Sequence, residues 1–201
     1  VAAALLAVLL LGAGVCGCTK EEPPTAVRQK QLRTRYQVEP RVTLPLAELT
    51  RREQTGADEK CDVAGALYLA GNFAAAIDKY RQVLKADSSS VRAAYNLGRA
   101  YARTGRYPEA IKQWQRTVTL EPDFADAHFS LGVAFAQKAP TAVDQPANIS
   151  YADLDLAITH LSRAVGLEPR NAAFHHNLAR ALQLRHESTK AAAEYRRAIA
   201  L

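Results

Sequence analysis

At 201 residues the chain is long enough for one domain with additional segments. Aromatic residues make up 7% of it and alanine is abundant, which favours closely packed helices over a sheet. The formal net charge is +6, but in residues 57–201 the 18 Lys and Arg are interspersed with 15 Asp and Glu. A nucleic-acid-binding protein is expected to concentrate basic residues on one face, so the composition disfavours nucleic acid as a partner.

The first 18 residues form an uncharged, apolar run, and charged residues begin at Lys20. The run is shorter than the ~20 residues that a membrane-spanning helix needs. Glycines also interrupt its second half. These features predict a signal peptide over residues 1–18 rather than a stable membrane helix.

The signal segment closes on Val15-Cys16-Gly17-Cys18, which resembles a bacterial lipobox. In lipoboxes an aliphatic residue, a small residue and glycine precede the lipidated cysteine, so the resemblance implies lipidation of Cys18. Cys16 stands where alanine or serine is usual, and it is the alternative anchor. An ordinary signal peptide, or a disulfide between the two cysteines, is the competing interpretation. Thr19 after the anchor implies an exported protein held at the outer membrane and facing the periplasm, with several acyl chains giving stable attachment.

Residues 19–56 are charged and contain four prolines. Such segments stay extended because they bury too little apolar surface to offset the entropy of the chain. We therefore expect a flexible linker over 19–56, with weak helical periodicity near Leu46 to Arg52. Its basic residues could lie against anionic lipid head groups, although solvation is the simpler expectation.

Residues 91–124 predict two antiparallel helices. Apolar or small residues from Ala94 to Tyr101 fall on one face of a first helix, and Gly105 ends that helix. The period resumes at Tyr107 on a second helix. A pair of this size cannot bury its apolar face alone, so it needs similar pairs stacked beside it.

The same unit recurs along the chain. Val63, Leu97 and Leu131 are each 34 residues apart, whereas Leu131 and Leu178 are 47 apart. Small residues recur where the two helices of a unit approach most closely, since larger side chains would separate them. These small pairs are Ala64 with Ala76, Gly98 with Ala110, Gly132 with Ala157, and Ala179 with Ala191.

Within the second unit, Leu97-Gly98, Tyr101, Ala110, Trp114 and Pro122 match in order the pattern of the tetratricopeptide repeat (TPR). Residues 57–201 therefore resemble a TPR domain. The resemblance implies an all-α, right-handed α-solenoid of about four TPR-like helix hairpins. The predicted repeats span residues 57–90, 91–124, 125–171 and 172–201.

The third repeat is interrupted. Its small pair is 25 residues apart where the other pairs are 12 apart, so 13 extra residues lie between its helices, within 137–153. Two prolines predict a loop there, and Ser150-Tyr151 predicts the start of the next helix. Insertions of this kind often map to a binding face of a solenoid, but a tolerated surface insertion is equally consistent.

In TPR proteins, one stripe of each first helix lines a concave groove. The residues that the resemblance assigns to this stripe are Arg92, Tyr95, Asn96, Arg99, Arg103, Phe129, His176, Asn177 and Arg180. Arginine and aromatic side chains together suit an extended peptide of acidic character. A merely hydrated face is the competing interpretation. Some TPR proteins bind a C-terminal carboxylate with a set of lysine and asparagine side chains. This sequence does not match that set, because Cys61, Gly65 and Asp126 stand at three of its positions. Only Asn96 agrees with it.

Catalytic and metal-binding patterns are absent from the sequence. His175 and His176 are adjacent, so they point to different sides of a helix and cannot hold one metal. His128 and His175 stand where TPRs hold a packing residue, and a packing role is also the expectation for Cys61. No cysteine or histidine pair has zinc-site spacing, and there is no glycine-rich phosphate loop. We expect no metal, no cofactor and no enzymatic activity.

These observations predict a non-enzymatic protein-protein interaction scaffold of the bacterial cell envelope. The groove would bind protein or peptide clients of acidic character. The lipid anchor would attach the protein to the membrane. One alternative is the N-terminal recruiting region of a larger enzyme or receptor. Another is a pilotin-like assembly subunit of a secretion or pilus machine.

Overall fold

The computed structural model describes residues 24–36, 57–138 and 151–201. Within these ranges the chain forms nine helices and no strand. They are α1 (Pro24–Tyr36), α2 (Ala57–Leu69), α3 (Phe73–Ala86), α4 (Val91–Arg103), α5 (Tyr107–Leu120), α6 (Ala125–Lys138), α7 (Tyr151–Leu167), α8 (Ala172–Leu184) and α9 (Ser188–Ala200).

The helices from α2 onwards stack as four hairpins. α2 packs with α3, α4 with α5, α6 with α7 and α8 with α9, and the second helix of each hairpin packs on the first helix of the next. This arrangement confirms the predicted all-α solenoid. Because α2 also contacts α4, and α6 contacts α8, the first helices lie on the inner side of the stack. We call the solvent-facing side of α2, α4, α6 and α8 the inner surface.

Local sequence signals set the hairpin geometry. The Ser90 side chain accepts a hydrogen bond from the backbone N–H of Ala93 and so caps the start of α4. α4 ends at Arg103, and Gly105 follows with φ of 76°, a left-handed conformation that a glycine adopts without steric cost. Gly105 therefore ends the helix as the sequence predicts, and the chain turns back into α5.

One core runs from α2 to α9, and small residues let the helices within a hairpin approach each other. A Cβ added to Gly98 would lie 2.5 Å from Nε1 of Trp114, and one added to Gly132 would lie 2.5 Å from Cγ of Leu161. These distances are shorter than real Cβ contacts, so a larger residue at either crossing would force its neighbour to shift. Cys61 is 2% exposed within this core, in agreement with the expected packing role.

The expectation of an extended linker is wrong for residues 24–36, which form α1. Gln29 is 2% exposed and Leu32 6% exposed, because one face of α1 lies against α4 and α7. Tertiary contacts therefore stabilise a helix that the local sequence does not specify.

Several predicted segments lie outside the described residues, among them the signal segment with Cys18 and most of the insertion in the third repeat. On either side of that insertion, α6 ends at Lys138 and α7 begins at Tyr151, as predicted for the second helix. None of the helices in the described ranges is both long and apolar enough to cross a membrane.

Candidate functional site

Two arginines of α4 stack on aromatic rings of the preceding hairpin. The guanidinium carbon of Arg99 lies 5.2 Å from the ring centroid of Tyr68 in α2, and 5.8 Å from that of Tyr95, one turn earlier in α4 itself. The guanidinium carbon of Arg103 lies 5.3 Å from the ring centroid of Phe73. These are cation–π distances. Stacking occupies the face of a guanidinium and leaves its N–H edge able to bind a carboxylate.

Aromatic side chains continue this surface into the next hairpins. The ring of Tyr95 lies 4.8 Å from that of Phe124, and the ring of Phe129 stacks on that of Phe174 with centroids 4.7 Å apart. Tyr95 and Phe129 are both partly buried, so each presents part of an aromatic ring to a ligand while packing fixes the rest.

An open cavity of about 250 Å³ lies between α4, α5 and α6. Arg103 and Phe129 line it together with Trp114, Val133 and Gln137. The structure thus brings together two of the predicted groove residues that lie in different repeats. The volume is smaller than the roughly 300–1,000 Å³ of small-molecule pockets, and it suits a single side chain of a bound peptide.

Arg92 and Asn96 do not contribute to the inner surface, contrary to the sequence expectation. Arg92 is 6% exposed and its guanidinium forms a buried ion pair with Asp62 of α2. Asn96 lies one turn later on the same side of α4 and is 1% exposed. The side of α4 that carries both residues is covered within the stack, so neither side chain reaches a client.

The three predicted residues of α8 lie close together near the end of the stack. His176 is exposed and packs edge-on against Tyr195, with ring centroids 5.6 Å apart. The side-chain amide of Asn177 donates to the carbonyl of Ala173 at 2.8 Å, and Arg180 is exposed. His176 and Arg180 therefore extend the polar part of the inner surface beyond the aromatic rings.

His128 and His175 follow a proline by six residues in each of two repeats. Nε2 of His128 lies 2.9 Å from the carbonyl oxygen of Pro122, and Nε2 of His175 lies 3.0 Å from that of Pro169. A carbonyl accepts, so Nε2 donates in both. His175 is 3% exposed and its Nδ1 lies 2.6 Å from Glu194. The predicted packing role of His175 is therefore confirmed.

A histidine pair that sequence reasoning missed joins α6 to α7. Nδ1 of His128 lies 3.1 Å from Nδ1 of His160. Because Nε2 of His128 carries a proton toward Pro122, its Nδ1 accepts, and Nδ1 of His160 donates. Burial lowers the pKa of both imidazoles. Two histidines 32 residues apart give no sequence signal, since only the folding of the third hairpin brings them together.

In the described part of the chain, no group of three or more His, Cys, Asp or Glu side chains is placed to hold a metal ion. The arrangement on the inner surface offers instead stacked guanidinium groups, aromatic rings and a shallow cavity. These features can bind an extended segment of another protein.

Residues 64–119 and 105–141 match the family model of the tetratricopeptide repeat. Residues 64–141 therefore carry tetratricopeptide repeats. Proteins built from TPRs are generally non-enzymatic scaffolds that bind protein partners, and the solenoid geometry described above has the corresponding inner surface.

Among curated proteins, the chain is similar to the Photosystem I assembly protein Ycf3 of Acaryochloris marina (strain MBIC 11017). The two are 26% identical over 106 residues, or 50% of this chain and 63% of Ycf3. The chain thus spans less than two thirds of the length of that relative.

Among solved structures, MamA is 28% identical, with a TM-score of 0.60 over 69% of this chain and 74% of that one. A MamA fragment from Desulfovibrio magneticus RS-1 superposes with a TM-score of 0.68 over 89% of this chain and 96% of that one. Its identity is 20%, so this second likeness concerns the fold alone.

Proposed function

We propose that this chain is a non-enzymatic scaffold that binds partner proteins along the inner surface of its TPRs. The observation that carries the proposal is the pair of stacked arginines, Arg99 and Arg103, beside the cavity that Phe129 lines. The name of Ycf3 as an assembly protein supports a role in bringing other proteins together.

The client that this surface fits best is an extended peptide with acidic residues and an apolar side chain. A carboxylate would bind the N–H edge of Arg99 or Arg103, and the apolar side chain would fill the adjacent cavity. Hydrogen bonds between charged groups contribute more to binding than neutral ones, so the arginines would set the preference for acidic peptides.

A fluorescence anisotropy assay with the full chain tests this proposal. The probes are labelled peptides of about twelve residues that contain Glu or Asp around one Phe or Leu, together with versions in which Lys replaces each acidic residue. We expect saturable binding of acidic peptides and a loss of about tenfold or more in affinity with Arg99→Glu.

The matched control is Arg81→Glu, which makes the same charge change at an exposed position of α3, a second helix. It should leave the affinity for the acidic peptides unchanged. Equal losses in the two variants would mean that net charge, rather than the inner surface, determines binding. Binding of the Lys peptides with the same affinity as the acidic ones would reject the acidic client.

We further propose that the scaffold acts in the cell envelope, attached to the membrane through lipid on Cys18. The lipobox-like residues Val15 to Cys18 support this location. Membrane fractionation tests it, because Cys18→Ala should release the protein into the soluble fraction and Cys16→Ala should not. Recovery of the Cys18→Ala variant with the membranes would overturn this assignment.

A further inference from the structure

Among the described side chains of α1, Leu32 makes a buried apolar contact with the rest of the protein. Leu32 is 6% exposed and forms a small buried cluster with Phe124 and Ala127, at the junction of the second and third hairpins. Val91, Tyr95 and Val118 are partly buried around this cluster. Leu32 thus fills a pocket that the TPRs provide.

Gln29 adds a two-point contact with the backbone that leads into α6. Its side-chain amide donates to the carbonyl of Asp123, and its Oε1 accepts from the backbone N–H of Ala125 at 3.0 Å. Ala125 is the first residue of α6, and the first N–H groups of a helix have no acceptor within the helix. Gln29 therefore caps α6 from another part of the chain, and it is 2% exposed in doing so.

Arg28 adds ion pairs to the contact. Its Nη2 lies 3.1 Å from Oε1 of Glu121 and 3.4 Å from Oδ2 of Asp123, while Arg163 of α7 lies 2.8 Å from the other oxygen of Asp123. The connection between α5 and α6 is thus acidic where α1 is basic. Arg28 and Gln29 both lie beside Leu32 on α1, because residues three and four positions apart are neighbours on one face of a helix.

The helical form of α1 depends on its contacts with the TPRs. Isolated helices of about 12–15 residues are marginal in water, and α1 has 13 residues. The contacts of α1, among them those of Leu32, Gln29 and Arg28, therefore offset the entropy lost when this helix is ordered. A ligand that makes the same contacts would compete with α1 for them.

We propose that Glu121, Asp123, Phe124, Ala125 and Ala127 form an exchangeable helix-binding site, here called the α1 site, with α1 as its resident occupant. Its partner is a basic amphipathic helix of another protein that carries Arg, Gln and Leu at relative positions 1, 2 and 5. The site is separate from the arginine stack on the inner surface, and its existence does not depend on the proposed binding of acidic peptides there. Tyr95 borders both surfaces.

The test uses the full chain and a labelled peptide with the sequence of residues 24–36. Leu32→Asp in the full chain should undock α1 and leave the α1 site open, whereas the resident helix of the wild-type chain competes at a high effective concentration. We therefore expect the peptide to bind the Leu32→Asp chain about tenfold or more tightly than the wild-type chain. A peptide with alanine in place of the glutamine that corresponds to Gln29 should bind the Leu32→Asp chain about tenfold more weakly.

The combined change Arg28→Glu and Gln29→Ala in the full chain should open the same site without an aspartate near the core. Circular dichroism of each variant shows whether the TPRs remain folded. Adding Arg99→Glu to either variant should leave binding of this peptide unchanged. The proposal is overturned if neither opened variant binds the peptide, or if they bind it no more tightly than the wild-type chain does. A wild-type dimer that Leu32→Asp dissociates would instead assign the site to a second copy of this chain.

Discussion

Gly98 of α4 lies directly against the indole ring of Trp114 in α5. A Cβ at position 98 would meet the ring at 2.5 Å, and the ring cannot move freely because its Nε1–H donates to the carbonyl of Tyr95 at 3.2 Å. We expect Gly98→Ala to lower the free energy of unfolding by about 1–3 kcal/mol, as overpacked cores do. Denaturant titration followed by circular dichroism measures this.

The matched control for Gly98→Ala is Gly166→Ala. Gly166 lies in α7, where an added Cβ would have no neighbour within 4 Å. Because alanine is the better helix former, this change should raise the free energy of unfolding by roughly 0.5–1 kcal/mol. If the two substitutions shifted stability equally, the close approach of α4 and α5 would be disproved.

The buried ion pair between Arg92 and Asp62 joins the first helices of two neighbouring hairpins. The side chain of Arg92 is 7% exposed and that of Asp62 is 12% exposed. Removing either partner leaves a charge in the interior, so Arg92→Met and Asp62→Leu should each cost about 3 kcal/mol or more of stability.

A double-mutant cycle on this pair distinguishes an interaction from two separate effects. The combined Arg92→Met and Asp62→Leu protein should lose clearly less stability than the sum of the single losses, since it leaves neither charge buried. Additive losses would show that the two side chains do not depend on each other.

The pair formed by His128 and His160 should make the third hairpin sensitive to acid. Burial lowers the pKa of both imidazoles below the ordinary value of 6.5. Nearby Arg163 lowers the pKa of His128 further, against the opposing effects of the Pro122 carbonyl and Asp123. The unfolded chain therefore binds more protons than the folded chain as the pH falls below about 6.5, and stability falls with it.

Thermal melts between pH 7.5 and pH 5.5 measure this effect. We expect the melting temperature of the wild-type protein to fall over this range, and to fall less in His160→Gln, which removes one of the two titrating groups. His176→Gln changes an exposed histidine of α8 and should retain the full fall. If the melting temperature fell equally with pH in all three proteins, the buried histidine pair would not govern the sensitivity to acid.

The hairpins could be predicted from the sequence because their determinants are local. The small residues Gly98 and Ala110, and Gly105 at the end of α4, act within one hairpin, and the 34-residue spacing repeats this pattern along the chain. Stacking then follows from the apolar faces that isolated hairpins would leave exposed.

Burial at the candidate site could not be predicted in the same way. Helix periodicity alone places Arg92 and Asn96 beside Arg99. In the structure the neighbouring hairpin covers both side chains. Asp62, which forms the ion pair with Arg92, is 30 residues earlier in the chain. Docking of α1 through Gln29 depends on a backbone segment 94–96 residues away. Contacts of this range depend on how whole hairpins pack, which no local pattern specifies.

Photo-crosslinking in cells that make the full chain tests most directly whether partner proteins lie along the inner surface. A photoreactive residue at Gln137, an exposed position that lines the cavity, is compared with one at Leu156, which is 44% exposed on α7, a second helix. We predict protein adducts from position 137 that are far more abundant than those from 156 and that disappear in the Arg99→Glu background. Adducts formed equally from both positions, or unaffected by Arg99→Glu, would contradict binding along the inner surface.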